Sequence, residues 1–166
     1  MSHRSPEPAE PTARNYAGAV YGSLLAASVI ATAGTLGPFP RLQLVVMLLT
    51  TGLVFWITHV YAGLVGDRLA HQPLSRSVVR NELRRERPIL EAAIPPAVVV
   101  AVSPSLGLGP GDTAWAALGV ALAQQVCWAT IPLARAGAPR RLVALTGVVN
   151  LLLGLVIVVA KAVVAH

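Results

Sequence analysis

Charge is the scarcest ingredient of this chain. Only 12% of its 166 residues are Asp, Glu, Lys or Arg, against about 25% in an ordinary soluble domain. A water-soluble globule is therefore excluded. Cysteine is nearly absent as well. Cys127 stands alone inside an apolar run, which rules out an internal disulfide and thiol–disulfide exchange within the chain. His3, His59, His71 and His166 are scattered, without the spacing of a zinc site. No P-loop, no GxSxG and no paired aspartates occur, so no catalytic residue, metal or cofactor is expected.

What the chain has in quantity is long apolar sequence, with 55% hydrophobic residues and a mean hydropathy of +0.66. Five runs, 17–36, 42–66, 89–108, 113–134 and 142–165, each meet the length of about 20 residues needed to cross a hydrocarbon layer. The expected fold is all-α: an integral membrane helical bundle of five transmembrane helices plus a short basic amphipathic surface helix. Residues 1–15 read as a flexible tail, 16–166 as one transmembrane domain, and 67–88 as its principal loop. Arg14, the apolar stretch from Ala17 and Ala31-Thr32-Ala33 have the three regions of a signal peptide. The run continues to Leu36, which favours an uncleaved first span.

Arginine sets the expected orientation. Lys and Arg in short loops mark the cytoplasmic side. Arg4 and Arg14, the six arginines of 67–88, and Arg135, Arg140 and Arg141 total eleven on one side, against Arg41 and Lys161 on the other. Five spans in an inner cell membrane, with the N-terminus cytoplasmic and the C-terminus outside, satisfy that split. The net charge of +6 then reflects topology. No basic–aromatic interleaving accompanies it, so nucleic acid is not an expected partner. The expected partners are the bilayer itself, anionic lipids at the cytoplasmic face, and either further copies of the chain or another membrane subunit. Arg76, Arg80, Arg84, Arg85 and Arg87 are the expected headgroup contacts, on a helix whose apolar side is Leu74, Val78 and Leu83.

A few polar residues fall inside the apolar runs, where each is costly. His59 lies about 10 Å from the inner end of span two and Glu91 about 5 Å inside span three, at 1.5 Å rise per residue. An imidazole beside a carboxylate exchanges protons near neutral pH. Tyr21 and Tyr61 border the same space, and Gln125 and Asn150 extend it toward mid-depth. These six residues define an expected cytoplasm-facing proton or ion path. The alternative for His59, Gln124, Gln125 and Asn150 is interhelical hydrogen bonding, and Glu91 also suits a helix's first turn on electrostatic grounds. Gly18, Gly22 and Ala26 recur every fourth residue, a stripe that admits a close neighbouring helix.

Two resemblances bear on function. Gly63-Leu64-Val65-Gly66-Asp67-Arg68 resembles the start of the GxxxDR loop between spans two and three of major facilitator transporters. The glycine and basic pair that follow in that family are Leu69, Ala70 and His71 here, and the chain is under half that family's length. The likeness implies a charged, tight inner loop and no more. Phe55–Ala62, with the heavy use of Ala, Val, Leu, Gly and Arg, is similar to small uncharacterised multi-span membrane proteins of high-GC bacteria, a likeness that implies no activity. The functional expectation is a small proton or cation channel or transporter. The alternatives are a non-catalytic accessory or assembly subunit of a larger membrane complex, and a membrane enzyme acting on a lipid at the inner leaflet.

Overall fold

The structure, a computed structural model, describes residues 11–33, 40–69 and 75–164. All regular structure among them is helical, in the order α1 Pro11–Ala33, α2 Arg41–Leu69, α3 Arg76–Arg85, α4 Arg87–Glu91, α5 Ile94–Val102, α6 Pro110–Arg135 and α7 Arg140–Val164. Four of these, α1, α2, α6 and α7, are long and apolar enough to cross a membrane. The expected tail is shorter than read: α1 begins at Pro11, inside residues 1–15, and Pro11 suits a first helical turn because its missing N–H has no partner to lose there. The tail's residues 1–10 and the turn at Gly37–Phe39 lie outside the described residues.

The helices alternate in direction. Tyr16 near the start of α1 stacks on Trp128 near the end of α6, with ring centroids 5.9 Å apart. Lys161 near the end of α7 lies over Trp115 near the start of α6, 4.5 Å from the ring centroid. Arg41, at the start of α2, donates to the Leu108 carbonyl just before α6 (2.6 Å). One end of the bundle thus carries Tyr16, α3, Arg135 and Arg140, and is called here the basic end; Arg41, Leu108 and Lys161 mark the far end. Between α6 and α7, Gly137 takes a left-handed conformation (φ +73°). It lets Ala138 N–H reach back to the Leu133 carbonyl and close α6.

The apolar core sits in the far half. Ala26, Ala27 and Ile30 of α1 interlock with Ala114, Ala117, Leu118 and Ala121 of α6, with Leu44 and Leu48 of α2, and with Ala97 and Val100 of α5. Alanine dominates because small side chains let helix axes approach.

The stretch 89–108, expected as one continuous span, is not one helix. It is divided into α4 and α5 by a turn at Ala92-Ala93. The cause is Pro95-Pro96: neither has an N–H to return to the carbonyl four residues earlier. The Ala92 carbonyl released by Pro96 instead accepts from Gln124 Nε2 of α6 at 2.6 Å. Despite the break, the stretch runs on alongside α2. Leu90 and Ala93 lie against Gly52, and Leu108 against Arg41. From Gly52 to Arg41 is about 17 Å of helix at 1.5 Å per residue.

Candidate functional site

At the basic end, α1, α2 and α3 enclose an open-mouthed cavity of about 420 Å³. From α1 it is lined by Ala17, Gly18 and Tyr21, from α2 by His59, Ala62 and Gly63, and from the end of α3 by Glu82, Arg85 and Glu86. The small residues make the room. A Cβ at Gly63 would collide with the Glu82 carboxylate, and one at Gly18 would stand 3.3 Å from Ile89 Cγ1.

Local sequence explains how the polar groups arrive there. The Ser75 hydroxyl accepts from Val78 N–H (3.3 Å) and starts α3. Trp56 Nε1 donates to the Leu83 carbonyl at 3.2 Å, occupying one of the last carbonyls of α3, which have no partner within their own helix. That bond holds the final turn of α3 against α2. Four-residue spacing then puts Glu82 and Glu86 on the same side of the chain, toward the bundle. The apolar side expected for this helix is different in the structure: Val78 is half-buried, Leu83 is 36% exposed, and the buried position is taken by Glu82, 4% exposed. Leu74 lies outside the described residues.

The cavity holds one basic and two acidic side chains around an imidazole. Arg85 Nη2 lies 2.6 Å from Glu82 Oε1 and its Nε 3.3 Å from Glu86 Oε1. One guanidinium bridges two carboxylates, and Glu82 makes a further polar interaction besides. His59 Nδ1 is 2.9 Å from the Phe55 carbonyl of its own helix. A carbonyl only accepts, so Nδ1 carries the proton and the neutral ring keeps its lone pair at Nε2. The ring is tilted against Tyr21, with centroids 5.3 Å apart, and Tyr21 meets Phe55 edge-on at 6.0 Å. The arrangement sets the imidazole Nε2 lone pair and two Arg85-bridged carboxylates around one cavity. Among the described residues, no three His, Cys, Asp or Glu side chains converge to hold a metal ion.

The six residues of the expected path are placed at separate sites. Tyr21 and His59 share the cavity. Glu91 does not line it, and pairs with Arg87 at 2.7 Å on a largely exposed edge of α4. Tyr61 is 68% exposed on the outer side of α2. Gln125 and Asn150 join α6 to α7: Gln125 Nε2 donates to the Asn150 carbonyl (3.1 Å) and lies 3.3 Å from its Oδ1, while Asn150 Nδ2 donates to the Thr146 carbonyl (3.0 Å). Along the glycine stripe, Gly18 and Gly22 face α4 and Ala26 enters the core. Of the five arginines, Arg76, Arg80, Arg84 and Arg87 are exposed, and Arg85 turns inward.

The sequence reading did not single out Glu82 and Glu86. Their signal was present: two carboxylates four residues apart, on the side of a short helix opposite Arg76, Arg80 and Arg84. Comparison with protein-family models, with curated proteins and with solved structures finds no match.

Proposed function

We propose that this chain is a five-crossing integral membrane protein of the transport class, with its basic end in the cytoplasm, and that it carries a proton or small cation through the cavity at that end. The observation that carries the reading is His59 sharing a cavity of about 420 Å³ with Glu82 and Glu86. The fifth crossing is assigned to α4–α5 and the turn after it, which run from Gly18 of α1, where Ile89 packs, past Gly52 of α2 to Arg41. Aromatic placement supports the bilayer. Tyr16, Tyr61 and Trp128 stand near the basic end and Trp115 near the far end, where amphipathic rings suit the two interfaces.

A permanently open pore is the less favoured form of transport. The polar lining stops where Ala26, Ala27, Ile30 and Leu48 close the far half. Passage then requires that half to loosen while the cavity closes. Glu82 and Glu86 take the partner role that Glu91 held in the sequence expectation, because they line the cavity with His59 and Glu91 does not.

The test is ion flux in proteoliposomes. Protein-dependent proton or alkali-cation flux is expected, falling at least about tenfold in His59→Ala and in Glu82→Gln, because each change removes a titrating group whose role is proton exchange. Wild-type vesicles no leakier than protein-free ones would overturn the proposal. One observation favours a second reading. Arg85 engages both carboxylates, as a latch fastening α3 to the bundle would. In that case the chain is an accessory subunit, and stoichiometric co-purification with a larger complex in mild detergent, without flux, is the result that selects it.

A further inference from the structure

Arg76, Arg80 and Arg84 follow one another at four-residue steps on α3, and all three are exposed. At about 100° per residue they fall within an arc of about 80°. The residues directed at the bundle, Val78, Glu82 and Arg85, lie on the opposite side. Among the described residues none of the three exposed arginines has an ion-pair partner, whereas Arg85 has two and Arg87 one. The helix is therefore two-sided, with one side satisfied internally and the other a row of three unpaired guanidinium groups.

In the membrane orientation proposed above, the depth of α3 bears on what meets that row. Trp56 bonds to the Leu83 carbonyl, and Gly63 abuts Glu82. Counted from Arg41 at the start of α2, these contacts fall at about 22 Å and about 33 Å. They straddle the inner edge of a hydrocarbon layer about 30 Å thick. Tyr61, 68% exposed on α2, falls at the same level, where a phenol belongs among headgroups. Guanidinium groups at that level face phosphate oxygens, with which they make charge-assisted bidentate hydrogen bonds.

We infer that the row Arg76, Arg80 and Arg84 docks α3 onto anionic phospholipid headgroups of the cytoplasmic leaflet. The inference uses the membrane orientation proposed above and is independent of transport. Its consequence is positional. The same helix supplies Glu82 and Arg85 to the cavity wall, so the charge of the leaflet biases how firmly that wall is seated.

The experiment follows α3 directly and not flux. A fluorophore is attached at Asn81→Cys, an exposed position on α3, in a Cys127→Ser background. Its quenching by neutral acrylamide is compared in phosphatidylcholine vesicles and in vesicles with about one quarter phosphatidylglycerol. The anionic lipid is expected to lower quenching about twofold or more, an effect that weakens in high salt. The triple variant Arg76→Gln/Arg80→Gln/Arg84→Gln is expected to lose that difference, and the matching Arg→Lys triple to keep most of it. Equal quenching of the parent protein in both vesicles overturns the inference, as does a difference that survives in the glutamine triple. Protection by soluble polyglutamate in neutral vesicles, with none from phosphatidylglycerol, also overturns it and identifies an acidic polypeptide as the partner. Should the glutamine triple fail to insert, Arg80→Gln alone is expected to reduce the lipid effect, and its failure to do so counts equally against docking.

Discussion

The two halves of the bundle are threaded by the same long helices and packed by different means. In the far half, α1, α2, α5 and α6 meet through alanines and branched aliphatic side chains. In the basic half, α1 meets the backbone of α4 across glycine, and polar side chains complete the contacts. Hydrocarbon tails solvate apolar side chains well, so burial gives helices in a membrane little reason to associate. Close approach and interhelical hydrogen bonds supply that reason. The apolar core of the far half relies on close approach, and polar contacts, Arg41 to Leu108 and Lys161 over Trp115, appear only at its end. The basic half uses both, because two prolines and a surface helix leave backbone groups that need partners.

The comparison breaks most sharply at Gly22. A Cβ there would stand 2.7 Å from the Ile89 carbonyl oxygen and 2.9 Å from Ala92 Cβ. A carbonyl oxygen of the main chain cannot swing aside as a side-chain tip does. Gly22→Leu is therefore expected to cost at least about 1–3 kcal/mol, the usual range for overpacking, read as a lower unfolding temperature in detergent. Gly119, on α6, has open space around its Cβ position. Gly119→Ala is expected to be neutral or stabilising by up to about 1 kcal/mol through helix propensity. Equal losses at the two positions would contradict the close-approach account of the basic half.

A smaller effect sharpens the role of hydrogen bonds. Gln124→Leu keeps an apolar side chain of similar reach and removes the donor to the Ala92 carbonyl. Interhelical side-chain bonds in membranes contribute on average about 0.6 kcal/mol, and up to about 1.7. The loss is expected in that range. Amide exchange at Ala93 and Ala97, beside the released carbonyl, is expected to quicken while that of Ala117 and Leu118 in the far half does not.

The far half was legible in the sequence because a single variable, hydropathy, determines it. Runs at 42–66, 113–134 and 142–165 emerge as α2, α6 and α7 with ends displaced by only a few residues. The third run failed as a helix for a reason that was visible: Pro95-Pro96 removes two successive N–H groups, and the break lands just before them. The site was less legible because it depends on pairings that no periodicity encodes. His59 stood out as an isolated titratable residue in an apolar run, and Tyr21 as a ring near the same depth. Glu82 and Glu86 were hidden in a segment whose arginines dominate any reading of its charge. Whether Glu86 or Glu91 approaches His59 depends on the angle at which α3 and α4 leave each other, which is set by the turn at Glu86 and by Ile89 seating on Gly18 and Gly22.

The smallest expected effect concerns Glu91, and it distinguishes depth in the sequence from position in the fold. Glu91 and Arg87 form an exposed pair one helical turn apart, with side chains 42% and 69% accessible. Pairs of that kind contribute about 0–1 kcal/mol, much of it screened by salt. Glu91→Gln is therefore expected to leave the unfolding temperature nearly unchanged and, in the flux assay, to fall well short of the effect of Glu82→Gln. The two substitutions remove the same charge only nine residues apart, so net charge and topology signals change equally in both. If Glu91→Gln abolishes flux and Glu82→Gln does not, the proton-bearing partner of His59 lies on α4, and the cavity at the end of α3 is a structural seam. If the order is as expected, the carboxylates that matter are those that α3 brings to Gly63, where only a residue without a side chain leaves them room.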